Sequence, residues 1–153
     1  MYEQIVVGTD GSAGASVAVD AAIELARLCG ARLHVVHAHK VMTSYLTTAP
    51  EIAISPTDIM EANDAIHAEG ERICEQVVAR ADRAGVQTET HCVGGNAADA
   101  LIRVATDAGA DLVVLGNRGM TGARRFVLGS VPNAVSHHCG SSLLIIDTTK
   151  ART

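Results

Sequence analysis

Apolar and polar positions alternate between two periods along this chain. Glu3–Gly8 (EQIVVG) is a short apolar run ending on glycine, the mark of a buried strand. From Ala13 to Cys29 the period lengthens. Ala18, Ala21, Ala22, Leu25, Leu28 and Cys29 recur at three- and four-residue spacing, with Ser12 placed to cap the helix and Gly30 to stop it. Arg32–Ala38 (RLHVVHA) is a second strand with a β-branched centre. His39–Pro56 follows no period, carries Pro50 and Pro56, and reads as a long loop of the functional kind. A long helix is predicted over Thr57–Ala84, stopped by Gly85, then a strand over Val86–Val93 and a Gly94-Gly95 turn. Asn96 caps the next helix, with Asp99 three residues on, and Gly109 ends it. Asp111–Gly116 (DLVVLG) is the fourth strand, and a glycine-bearing loop runs from Gly116 to Gly129. A short helix from Ser130 to Gly140 and a last strand, Ser142–Asp147 (SLLIID), close the pattern.

Strands alternating with helices imply one α/β domain over residues 1–148, with a frayed tail at 149–153. The expected form is a doubly wound, five-stranded parallel sheet, Rossmann-like, of order 3-2-1-4-5, with helices on both faces and right-handed crossovers. In such sheets ligands bind beyond the carboxyl ends of the strands, where the winding reverses. Here that crevice lies between strands one and four. The two turns bordering it are Gly8-Thr9-Asp10-Gly11-Ser12 and Gly116-Asn117-Arg118-Gly119. Either turn alone would be ordinary strand-to-helix punctuation; their coincidence at the switch point makes a site. Gly116 and Gly119 let backbone N–H groups approach an anion, and Gly129-Ser130 opens a helix whose unpaired N–H groups suit phosphate. Ser130 reads as an N-cap, a phosphate donor, or both.

Composition narrows the chemistry. Of 153 residues, 48% are hydrophobic and only 2% aromatic, so bases have no stacking platform. The net charge of −5, with Arg124-Arg125 as the densest basic stretch, argues against nucleic acid as a partner. No apolar run reaches the ~20 residues of a membrane span, and the N-terminal residues lack the pattern of a signal peptide. Cys29, Cys74, Cys92 and Cys139 form no CxxC pair and read as thiols of a reducing cytoplasm. The chain has neither GxxxxGK[ST] nor, after the first strand, GxGxxG, which disfavours P-loop and dinucleotide-binding enzymes. No nucleophile–base pair stands out. His37 and His39 share a face if their strand runs on, whereas His137 and His138 point apart; neither pair makes a metal site.

Gly116-x2-Gly119-x9-Gly129-Ser130 matches the G-2x-G-9x-G-[ST] signature of the ATP-binding branch of the universal stress protein family, which this chain resembles over essentially its whole length. IVVGTDGS, LHVVHA, DLVVLGNRG and LGSVPNAVSHHC are similar to that family as well. The resemblance implies that Gly8, Thr9 and Asp10 line the adenosine and metal side of the crevice. Ala38 would flank the adenine through its backbone. Gly116, Asn117, Arg118, Gly119, Gly129, Ser130 and Val131 would hold ribose and phosphates. Asn117 stands where many family members have serine. Asp10, the only acid in these turns, is either a helix cap or a contact to Mg²⁺. Arg118, Arg124 and Arg125 lie in the loop, and Arg118 is the favoured one to reach a terminal phosphate. The implied function is an ATP-binding, nucleotide-sensing regulatory module of the stress response; the alternatives are a cyclic AMP binder and a slow ATP hydrolase. The family's last strand commonly pairs with its twofold mate, which implies a homodimer through Ser142–Asp147.

Overall fold

The computed structural model describes residues 1–43, 54–117 and 128–149. Five strands and four helices alternate: β1 (Gln4–Gly8), α1 (Ala13–Cys29), β2 (Arg32–His39), α2 (Pro56–Arg83), β3 (Thr88–Gly94), α3 (Ala97–Asp107), β4 (Leu112–Gly116), α4 (Ser130–His138) and β5 (Ser142–Ile146). All strand pairs are parallel, in the expected order β3-β2-β1-β4-β5. β1 is central, and the winding reverses between it and β4, where Val7 lies level with Val114.

The central strands read as unbroken apolar runs because both their faces are covered. Ile5, Val7, Leu33 and Val35 point into the layer holding Val19, Cys74 and Val77 of α1 and α2. Val6, Val36 and Val113 point the other way, against Leu101, Val104 and Val135 of α3 and α4. Burying one such side chain is worth about 1.5–3 kcal/mol. α1 presents Ala15, Ala18, Ala22 and Ala26, small enough to let the helix lie close on the sheet.

Several boundaries differ from the sequence reading, each for a local reason. The loop is shorter than His39–Pro56. His39 stays in β2, where it is in register with Gly94. α2 starts at Pro56, a residue suited to a first turn, because Ser55 accepts from the Asp58 amide. Residues 44–53 of that loop lie outside the described residues. β3 begins at Thr88, although the Gln87 carbonyl still accepts from Leu33. Asp111 is no strand residue; its carboxylate accepts from the Glu3 and Gln4 amides at 2.9 and 3.2 Å and pins the start of β1. Asp147 lies beyond β5, where its carboxylate accepts from the Thr149 amide. α4 stops at His138, ahead of Gly140, because Cys139 is extended.

Candidate functional site

The turn after β1 is closed on itself. The Thr9 amide donates to the Val36 carbonyl at 2.9 Å, Gly11 to Thr9 Oγ1 at 3.2 Å and Ser12 to Asp10 Oδ1 at 2.9 Å. Ser12 Oγ then accepts from the Ala15 amide and caps α1, as its position suggests. Gly11 has φ +78°, and a Cβ there would come within 3.0 Å of Ile73 Cδ1. Gly8 is a glycine for packing. A Cβ would stand 2.8 Å from Leu115 Cδ2, so the apolar layer beneath the turn leaves it no room. His37 is buried, and its Nδ1 donates to the Thr9 carbonyl at 2.9 Å, which holds the turn from below.

The turn after β4 is built differently. Asn117 donates its backbone N–H to the Ile146 carbonyl, and its own carbonyl accepts from Gly129, at 2.9 and 3.0 Å. The second bond brings the two ends of the glycine loop together. The Asn117 side chain turns toward the end of β5. Oδ1 accepts from the Thr148 amide at 3.1 Å and the Thr148 hydroxyl at 2.7 Å, while Nδ2 donates to Asp147 Oδ1 at 3.2 Å. Its side chain and its backbone N–H are thus both engaged, which leaves a ligand the second lone pair of its carbonyl and the position it holds.

Gly129 occupies the N-cap of α4, with no side-chain bond. Ser130 is the first helical residue, as the helix bounds predict, and of its two possible roles the N-cap falls to Gly129. The Gly129 backbone (φ −59°, ψ 160°) reaches the cap geometry unaided, which releases the serine hydroxyl. The first-turn amides of Ser130 and Val131 have no partner among the described residues, and Pro132 contributes no N–H. Two donors thus point out of a helix N-terminus beside the switch point, where anions are favoured. The β1 turn, by contrast, has spent the Thr9 amide on β2 and the Gly11 and Ser12 amides on its own side chains.

The structure brings Gly8, Thr9 and Asp10 to one side of the β1–β4 crevice and Gly116, Asn117, Gly129, Ser130 and Val131 to the other. Ala38 stands one strand away, half-buried and level with Val93. Arg118, Gly119, Arg124 and Arg125 lie outside the described residues. Sequence reading missed Thr148, the anchor of Asn117, because nothing local links residues 31 apart. It also missed His67. The His39 ring approaches that of His67, which α2 supplies from 28 residues away.

The whole-chain comparisons agree with this architecture. Residues 1–147 match the family model described as the universal stress protein family. The universal stress protein YxiE of Bacillus subtilis is 33% identical over 149 residues, covering 95% of this chain and 99% of that one. A universal stress protein crystallised with cAMP is 31% identical, with a TM-score of 0.68 over 97% of this chain and 98% of the other. UspA from Lactobacillus plantarum, at 21% identity, shares the fold with a TM-score of 0.79 over 95% and 97% of the two chains.

Proposed function

This chain belongs to the universal stress protein family, and on that premise we propose that it is an ATP-binding, nucleotide-sensing regulatory module. The uncapped start of α4 carries the reading. Ser130 and Val131 present two N–H donors that no described residue engages, and Ser130 a hydroxyl, where the glycine spacing calls for phosphates. Gly8, Thr9 and Ala38 would take the adenosine; Gly116, Asn117 and Gly129, with Arg118 and Gly119 of the intervening loop, would surround ribose and phosphates. Asp10 suits Mg²⁺. One oxygen is held by the Ser12 amide, and Oδ2, which no described donor engages, is left for a cation shared with phosphate oxygens. Magnesium would neutralise the phosphate charge, and the role of this chain is to bind and orient. A second reading, a cyclic AMP binder, is favoured by the 31% identical relative crystallised with that ligand.

We extend the proposal to assembly and setting. Residues 1–148 would act as one nucleotide-binding domain. Among the described residues β5 pairs only with β4, and its Leu143–Ile146 run is half-buried, so an isologous homodimer through Ser142–Asp147 would cover an apolar edge. All four cysteines are free thiols, which suits the cytoplasm. No helix among the described residues is long and apolar enough to cross a membrane.

Titration of the full chain with ATP·Mg²⁺ and with cyclic AMP tests the reading. Ser130→Pro is the informative variant. Proline is well accepted at a first helical position, and Gly129 already has the extended backbone that precedes proline. The change removes one N–H and the hydroxyl while keeping the helix. A charge-assisted bond is worth about 1.5–3 kcal/mol, so ATP should bind roughly 10–100-fold more weakly. Unchanged affinity, or no ATP binding by the parent at millimolar ligand, would overturn the assignment. Displacement of ATP by micromolar cyclic AMP would select the second reading.

A further inference from the structure

Three elements bring three metal-ligating side chains together at the β2–β3 edge, away from the β1–β4 crevice. His39 ends β2, His67 lies on α2 and Cys92 on β3, and their ligating atoms all lie within 4.8 Å of one another. His39 and Cys92 are half-buried and His67 is more exposed, its side chain 46% accessible, so an ion can reach them and a water can complete its shell.

Counting protons shows what this cluster lacks. His39 Nδ1 faces the Lys40 carbonyl at 3.2 Å, and His67 Nε2 faces the Glu71 carboxylate at 3.4 Å. Both partners only accept, so each of these outer nitrogens carries its ring's proton. A neutral imidazole has one N–H. The inner nitrogens, His39 Nε2 and His67 Nδ1, are then left with lone pairs directed at each other across 3.1 Å. In that tautomer pair the two lone pairs favour a positive centre between or beside them, such as an extra proton or a metal ion. The His34–Glu89–His91 cluster on the opposite face differs. His34 Nε2 donates to Gln4 Oε1 at 2.9 Å and His91 Nε2 donates to His34 Nδ1 at 3.2 Å, so two protons serve two bonds and nothing is missing.

Three further features favour the metal over the proton. Histidine ligands characteristically donate their other N–H to a carbonyl or carboxylate, as both do here. Two nitrogens on a tetrahedral zinc stand roughly 3.3 Å apart, for Zn–N of about 2.0–2.1 Å, close to the spacing seen. Gly70, one turn along α2 from His67, makes room for the sulfur. A Cβ there would lie 2.6 Å from Cys92 Sγ and 2.7 Å from His37 Cδ2. Glycine inside a helix costs about 1 kcal/mol relative to alanine, and at this place it lets the thiol reach the helix.

We propose that His39, His67 and Cys92 form a binding site for a borderline-soft divalent cation, Zn²⁺ being the ion that fits, which clamps α2 to the β2–β3 edge. Cys92 Sγ, now 3.6 Å from the His67 carbonyl, would exchange its proton for the metal and release it to solvent, and the imidazoles would bind as neutral ligands. Glu71 is a positioning residue, acting through the His67 ring.

The test uses the full, untagged chain titrated with ZnCl₂ in competition with a chromophoric chelator, and with Co²⁺ followed by absorption. One ion should bind per chain, and the cobalt form should show a thiolate-to-metal charge-transfer band. Cys92→Ser, close in size, should abolish that band and weaken Zn²⁺ at least ~10-fold, and Glu71→Gln should weaken it about 10–100-fold. Gly70→Ala should also weaken the site by displacing Cys92, while His91→Gln should leave it intact; circular dichroism establishes that each variant is folded. Absence of Zn²⁺ binding at micromolar metal would mean that a shared proton alone joins the histidines, and the proposal fails. Binding that survives Cys92→Ser unchanged, or that is lost in His91→Gln, overturns it equally.

Discussion

Asn117→Ala isolates the tie between the glycine loop and the last strand. The wild-type amide oxygen accepts two bonds from Thr148, a residue only 9% exposed. Truncation leaves the Thr148 N–H and hydroxyl facing a small void. One buried donor without a partner costs about 1–3 kcal/mol and the second bond a further ~0.5–1.5 kcal/mol. The bond from Nδ2 to Asp147 is exposed and adds little. The expected loss is about 3 kcal/mol, a large share of the ~5–15 kcal/mol that holds a domain together. For a chain of this size it should lower Tm by roughly 6–12 °C. Urea unfolding monitored by far-UV circular dichroism measures it, with the m-value unchanged if the native state stays compact. Asn117→Asp provides a second arm. It keeps an acceptor for Thr148 but places a carboxylate where the amide stood 3.2 Å from Asp147 Oδ1. It should therefore be destabilised at neutral pH and recover as pH falls through the carboxylate range. A loss below ~0.5 kcal/mol for Asn117→Ala, inside the range of an ordinary surface change, would refute the view that this side chain anchors the loop.

Gly11→Ala should cost about 1–2 kcal/mol in chemical denaturation, because φ is +78° and Ile73 leaves a Cβ only 3.0 Å; a neutral result would mean that the turn relaxes freely. Burial lowers the His34 pKa from the usual 6.5, an effect that the Glu89 carboxylate opposes without cancelling. The folded state thus favours the neutral ring. Its contribution should be complete above about pH 6.5 and decline below it, until the folded ring itself takes a proton. A stability–pH profile of His34→Gln should be flatter over that window, and an identical slope would exclude His34 as the cause. Cys74 is buried and its thiol is pushed up to about 11, mainly by desolvation. A disulfide reagent at pH 8 should modify Cys74 only on unfolding, well after Cys29 and Cys139; early modification on peptide mapping would contradict this.

Much of the architecture was legible because local chemistry is tied to burial. β1 and β4 are covered on both faces, so their residues are apolar without alternation, and no helix period can be mistaken for them. Gly30, Gly85 and Gly109 mark helix ends because each adopts positive φ, which other residues resist. The boundaries that moved are those where a neighbour decides. Asp111 looks like strand until its carboxylate is seen holding the Glu3 amide, 108 residues away. Ser130 looks like a cap until the Gly129 backbone is seen to need none.

The sequence by itself determined the alternation of strands and helices, the parallel sheet and the placing of glycine turns at its switch point, all of which follow from periodicity and turn residues. Only the tertiary structure decided what the side chains at those turns do. It set the Asn117 amide onto Thr148, gave Gly8 a packing reason in Leu115, and left the start of α4 with donors that no described residue engages. It also gathered His39, His67 and Cys92, the first two of them 28 residues apart in the chain. The physical reason is range. Backbone preference and hydrophobic period act over a few residues, whereas a hydrogen-bond partner or a third ligand arrives on another element, at a distance set by sheet pairing and helix packing.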